Sequence, residues 1–165
     1  MSHMITKEQF IESFVKEIEI IKHLAEKVDK TKLDYRPTPG QRSTFELLQY
    51  LGHVFHTGIS ASIAGDQNVY IELAKNKDTV TVENFMSKMD EQIKFIREAV
   101  GALSEADMSR VSTIWGTTAP LSMQLLGAFK NAVAYKMQLF LYIKASGNSE
   151  IGTSNVWGGR DMSKQ

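Results

Sequence analysis

Apolar residues recur every three or four positions in four separate stretches of the chain, which is the spacing of one face of an amphipathic α-helix. The predicted helices span about residues 6–28, 43–64, 84–103 and 120–146. Each is long enough to cross a small domain, and no other segment has comparable periodicity. The pattern therefore predicts an all-α fold, a four-helix bundle.

Local signals mark where these helices begin and end. Thr6 with Gln9, and Ser43 with Glu46, have the spacing of a capping box, in which side chain and backbone satisfy each other's hydrogen bonds at a helix N-terminus. Gly147 follows the last helix at the position where a left-handed residue commonly ends a helix. These motifs make the first and second helix starts and the last helix end the best-defined boundaries.

The second and third connections are long, so the bundle is expected to contain crossover connections rather than only short turns. Residues 65–78 are mostly polar and predict one short helix. Residues 111–118 are rich in β-branched side chains and predict an extended connection before Pro120 opens the fourth helix. No segment predicts a strand convincingly.

Composition narrows the class of protein. The 165 residues fit a single domain, 1–165, and Lys plus Arg balance Asp plus Glu at 19 each, which argues against nucleic-acid binding. The chain has no cysteine and no apolar run of membrane-spanning length, so we expect a soluble cytoplasmic protein. Residues 1–4 resemble a cloning remnant, and residues 148–165 are expected to form a tail that Ile151, Val156 and Trp157 anchor to the bundle.

The fourth helix carries a narrow polar stripe, whose members fall within about 60° of one another at ~100° per residue. The stripe consists of Gln124, Asn131, Tyr135, Gln138 and Tyr142. Lys130, Lys136 and Lys144 project roughly opposite, and lysines normally reach water. The stripe is therefore predicted to point inward, either lining a pocket for a small polar ligand or bonding only to itself.

The second helix carries another polar stripe, which includes His53 and His56. This stripe could face solvent, or it could face the fourth helix and bring His53 to Asn131 and Tyr135. The two histidines are three residues apart and could share a metal ion with Glu46, but the same spacing suits two polar residues on one amphipathic face.

Two segments resemble the DinB/YfiT-like superfamily. The first is the sequence YRPTPG at residues 35–40, followed by Ser43, the pair Leu47-Leu48 and His53. The second is NAVAYKMQL at residues 131–139, which is similar to the family segment H-x-x-x-H-R-x-Q-L and is also followed by a glycine. The resemblance spans most of the chain, keeps the order of the motifs, and implies a DinB-like four-helix bundle.

Members of that superfamily typically bind zinc or nickel through three histidines, and the matching positions here are His53, Asn131 and Tyr135. Only one of them is histidine. A neutral amide is a poor zinc ligand, and a phenol must lose a proton whose unperturbed pKa is ~10. The resemblance therefore implies a degenerate metal site, with no cofactor expected.

Three functional hypotheses follow. The first is a DinB-like protein with a small-molecule pocket between the second and fourth helices where the metal site has degenerated. The second is an enzyme, either a thiol-dependent transferase or a hydrolase, that uses a divalent metal on His53 with altered ligands. The third is a non-catalytic interaction protein that forms a homodimer, since helical bundles often associate through apolar faces.

Overall fold

The computed structural model describes residues 5–162, and this part of the chain contains six α-helices and one β-hairpin. The long helices are α1 (Lys7–Ala25), α2 (Thr44–Ala64), α4 (Phe85–Gly101) and α6 (Leu121–Ala145), and the short ones are α3 (Gln67–Ala74) and α5 (Glu105–Ser109). The strands are β1 (Val111–Ile114) and β2 (Thr117–Pro120). The predicted all-α bundle is confirmed, and residues 1–4, read as a cloning remnant, lie outside the described residues.

The predicted capping motifs begin α1 and α2. The side chains of Thr6 and Ser43 accept hydrogen bonds from the backbone N–H of Gln9 and Glu46, which bond back to the capping residues. At the far end of α2, Gly65 adopts φ +70°, a left-handed conformation that costs glycine little. Neighbouring residues thus satisfy the backbone hydrogen-bonding groups at these helix ends. The helices begin where the capping motifs in the sequence predict.

Each of α1 and α2 packs against both α4 and α6, so α1 and α2 lie on one diagonal of the bundle. The centre is aromatic: the Phe14 ring lies 5.6 Å from that of Phe55 and 5.8 Å from that of Phe129, measured between centroids. These edge-to-face contacts join α1, α2 and α6 in one core. The long connections that the sequence predicts allow α1 and α2, which are consecutive long helices, to lie diagonally opposite each other.

The hairpin corrects the expectation that the chain contains no strands. β1 and β2 pair antiparallel from Val111 opposite Pro120 to Ile114 opposite Thr117, which leaves a loop of two residues. β-branched side chains favour the extended backbone of β1, and the two-residue loop allows the chain to fold back at once. The hairpin leads directly into α6 and lies beside the cleft between α2 and α6.

The tail returns along α1 and α6. Ile151 and Val156 are buried, whereas Trp157 is 63% exposed and does not enter the core. A π-helical turn, Ser154–Gly158, carries the last two of these residues. Within residues 5–162, no helix has the length and hydropathy required to cross a membrane.

Candidate functional site

Two adjoining cavities lie between α2, α6 and the hairpin. They share Gly58, Trp115, Ala128 and Asn131 in their walls. The inner cavity, of about 230 Å³, adds Tyr50, Val54, Phe55 and Tyr70. The hairpin cavity, of about 340 Å³, adds Ser62, Ile114, Thr117, Ala119, Met123, Gln124 and Gly127. The cleft therefore has an aromatic end, a hairpin end and a common middle.

The hairpin places a tryptophan at this cleft in an unusual backbone conformation. Trp115 has φ +50° and Gly116 has φ +75°, as a two-residue turn of the primed type requires. Asparagine or glycine normally occupies the first of these positions, because a larger side chain is strained there. The Trp115 ring is 56% exposed and meets the Tyr70 ring edge-on at 6.0 Å. Strain of this kind is often retained at functional sites.

Tyr50 packs against two of the three residues at the predicted metal position, His53 and Tyr135. Its ring centroid is 5.7 Å from that of His53 and 4.6 Å from that of Tyr135, and the Arg42 guanidinium lies 4.2 Å above its ring. Burial is the main cause of a raised Tyr50 pKa, so its hydroxyl stays protonated. Tyr50 was missed in the sequence, although it precedes His53 by three residues and so shares its side of α2.

The surroundings of His53 favour its neutral form. Its Nδ1 is buried and has no hydrogen-bond partner among the described residues. Burial lowers the His53 pKa first, and the positive charges of Lys77 and Arg42 lower it further. Among the described residues no carboxylate raises the His53 pKa in return, so the cationic form is disfavoured.

We expect His53 to titrate below the ordinary histidine value of ~6.5, as followed by the ring C–H signals in an NMR pH series. Because the folded-state pKa is depressed, the unfolded chain binds more protons below ~6.5, and stability falls as the pH drops through the folded-state value. The His53→Asn variant assigns the signal. A His53 pKa at or above that of the unfolded chain would contradict this description of its surroundings.

His56 and Glu46 do not join His53. The His56 ring packs on Phe95 of α4, with ring centroids 4.1 Å apart. The Glu46 carboxylate receives bonds of 2.7 and 2.9 Å from Arg36, which lowers its pKa to about 2. Within residues 5–162, no three His, Cys, Asp or Glu side chains are grouped so that they could hold a metal ion.

The polar stripe of the fourth helix, now α6, separates into four parts. Gln124 supports the hairpin, while Asn131 is exposed and lines both cavities. Gln138 donates to the Tyr142 hydroxyl at 3.0 Å, and that hydroxyl donates to the Arg42 carbonyl at 3.1 Å. Tyr135 packs on Tyr50 as described above. The stripe is thus partly a cavity wall and partly a hydrogen-bonded support.

The expectation that all three lysines opposite the stripe reach water is wrong for Lys136. Lys130 and Lys144 are exposed, but Lys136 is only 1% exposed. Its Nζ lies 2.6 Å from a Glu17 carboxylate oxygen and 4.9 Å from the centre of the Trp157 ring. A counter-charge from α1 and an aromatic face from the tail together explain how a lysine is accommodated there.

The zinc or nickel that the sequence resemblance implies does not fit the residues found here. Tyr50 contacts both His53 and Tyr135, so two of the three positions of the implied ligand triad are engaged in aromatic packing. Asn131 offers a neutral amide, and Tyr135 a phenol that would have to ionise. This donor set is poor for zinc or nickel.

The two cavities suit binding of a neutral molecule. Among the described residues that line them there is no Asp, Glu, Lys, Arg, His or Cys. The polar groups are amides and hydroxyls, which donate and accept hydrogen bonds without changing charge near neutral pH. The lining can therefore orient a ligand but offers no ready general base or nucleophile.

Comparison with known proteins bears on the fold. No family model matches the sequence, and no curated protein matches it. Among solved structures, the chain is similar to YjoA, a DinB-like protein from Bacillus subtilis, with a TM-score of 0.70 and 21% identity over 88% of this chain and 96% of that one. The resemblance noted in the sequence is thus confirmed in three dimensions: the chain has the DinB-like fold.

Proposed function

We propose that this DinB-like protein binds a small molecule in the cleft between α2 and α6, and that it does so without a metal ion. The observation that carries the proposal is the pair of adjoining cavities, which share four lining residues and have the strained Trp115 in their common wall. An apolar cleft with a few convergent polar groups is the usual form of a ligand site.

The dimensions favour a small ligand. Pockets for drug-sized molecules occupy ~300–1,000 Å³, and the hairpin cavity, at about 340 Å³, lies near the lower end of that range. The inner cavity is smaller still, at about 230 Å³. A compact ligand could occupy either one or extend from one into the other through the shared wall.

The metal-independent part of the proposal is supported by the donor chemistry of His53, Asn131 and Tyr135. Metal analysis of protein purified without a histidine tag tests it directly, since the proposal expects far less than one zinc or nickel per chain. About one ion per chain, lost in His53→Ala, would instead support the metal-dependent transferase or hydrolase.

Filling the cleft is expected to abolish binding while leaving the fold intact. No heavy atom lies within 4 Å of where a Cβ at Gly58 would be, so the side chain in Gly58→Leu would occupy cavity space. Leucine also favours helix over glycine, and the variant should be up to about 1 kcal/mol more stable. A screen of acidic, basic and neutral fragments by ¹⁵N–¹H NMR should shift Gly58 and Asn131 in the wild type but find at least about tenfold weaker binding in the variant.

Two further variants sharpen this test. Gly101→Leu on α4 also places its side chain in open space but outside both cavities, so it should bind like the wild type. Trp115→Asn removes a cavity wall and creates an Asn-Gly turn, the preferred pair for this hairpin, so it should fold well and bind weakly. If no fragment shifts cavity residues, or if both leucine variants bind equally, the cleft is not the site.

The homodimer stays a prediction. Several large apolar side chains are exposed, among them Ile71, Trp115, Met123 and Leu141. Sedimentation over a concentration series tests whether they mediate association, and a monomer at the highest concentration would remove this hypothesis.

A further inference from the structure

The wall that the two cavities share contains a single carboxamide. Of the four described residues in this wall, Gly58 and Ala128 have no polar side-chain atom. Trp115 contributes an indole N–H, which only donates, whereas Asn131 contributes an amide that both donates and accepts. Among these four residues, Asn131 alone can therefore bond to a donor and to an acceptor on the same ligand.

The Asn131 side chain is accessible from the cleft. The residue is exposed and belongs to both walls, so solvent, and a molecule that displaces solvent, can reach it. Other polar side chains of the hairpin cavity already donate to backbone carbonyls: Gln124 to two in the hairpin, and the Ser62 hydroxyl to that of Gly58 at 2.9 Å. Within residues 5–162, the Asn131 amide makes no such bond and is available to a ligand.

The remaining lining restricts the ligand's charge and shape. Among the described residues, no charged side chain lines either cavity, so an ionic ligand would lose its hydration without gaining a counter-charge. The Trp115 ring is 56% exposed and stands at 87° to the Tyr70 ring. Aromatic faces of this kind favour a flat, apolar partner.

We propose that the cleft binds a small neutral molecule with a flat apolar body and a cyclic secondary amide, whose N–H and C=O lie on the same side, as in a lactam. The Asn131 carboxamide donates to the ligand carbonyl and accepts from the ligand N–H, while the Trp115 ring packs against the apolar body. This inference rests on the proposed function, because it names the class of ligand for the same cleft.

2-Quinolone and 1-methyl-2-quinolone form a matched pair of probes, since they differ only in replacement of the N–H by N–CH₃. A cleft that recognised apolar area alone would bind the methylated probe at least as tightly, because methylation adds apolar surface. Pairing with Asn131 predicts the opposite order. Titration of each probe into the full-length protein, followed by ¹⁵N–¹H NMR, should give about tenfold tighter binding of 2-quinolone and should shift the Asn131 side-chain NH₂ signals.

Asn131→Leu removes the amide and keeps a side chain of similar size. The residue is exposed and leucine has a higher helix propensity than asparagine, so the variant should fold. It should lose the preference for 2-quinolone and bind the methylated probe at least as tightly. Asn68→Leu is the matched control, because Asn68 is exposed on α3 but lines neither cavity, and this variant should keep the wild-type preference.

Equal wild-type affinity for the two quinolones, or tighter binding of the methylated one, would overturn the ligand class, as would an Asn131→Leu variant that still prefers 2-quinolone. If fragments still bound in a Gly58→Leu-sensitive manner, the proposed function would survive that result. If neither the quinolones nor any fragment shifted cavity residues, both proposals would fail together. The wild-type comparison needs no variant, so it decides the inference even if Asn131→Leu does not fold.

Discussion

Replacing Lys136 by methionine is expected to destabilise the protein by about 3 kcal/mol, the lower end of the range for breaking a buried ion pair. The variant removes the ammonium group but leaves the Glu17 carboxylate, which is only 16% exposed, without its counter-charge at 2.6 Å. Some remaining contact with solvent at Glu17 is the reason to expect the lower end. Urea unfolding followed by circular dichroism measures the loss.

A double-mutant cycle distinguishes loss of the pair from loss of packing. Glu17→Gln combined with Lys136→Met removes both charges and should recover much of the stability lost in the single variant. Lys22→Met breaks a pair of the same 2.6 Å length, but its partner Asp90 is 61% exposed, so the cost should stay below about 1 kcal/mol. If the double variant were as unstable as Lys136→Met alone, the two charges would not be coupled as described.

Lys136 also shows the limit of the prediction from sequence. Lysines mark the solvent side of a helix only when no acidic partner lies across the interface, and the partner here, Glu17, is on α1. Periodicity within α6 contains no information about that neighbour. The same limitation applies to Asn131 and Gln138, whose surroundings depend on α2, the hairpin and the loop before α2.

Features determined by nearby residues were predictable. The capping boxes at Thr6 and Ser43 involve partners three residues away, so the helix starts follow from the sequence. The hairpin was missed because its turn is Trp115-Gly116 rather than Asn-Gly, and tryptophan rarely occupies a left-handed position. Trp115, which makes the turn hard to recognise in the sequence, is also the residue that forms a wall of the cleft.

Gln92 is another buried polar residue, and it bonds to the segment of α2 that lines the inner cavity. It is 2% exposed and belongs to α4; its Oε1 accepts from the backbone N–H of Phe55 and of His56, at 2.9 and 3.1 Å. Its Nε2 donates to the carbonyl of Leu51 at 2.9 Å. The Gln92 side chain thus binds the turn of α2 that carries His53. In the sequence, Gln92 occupies a position on the apolar face of α4, and this was the only sign that it would be buried.

Gln92→Leu is therefore expected to cost about 3 kcal/mol, or ~1 kcal/mol for each of the three hydrogen bonds lost. Faster hydrogen exchange at the Phe55 and His56 amides should accompany this loss, because the side-chain oxygen that accepts from them is removed. Gln49→Leu, on α2, is the matched control: it gives up one bond of 3.3 Å to the Val80 carbonyl and should cost at most about 1 kcal/mol. Equal losses of stability in the two variants would mean that the backbone groups of α2 are satisfied without Gln92. The shape of the cleft would then not depend on α4.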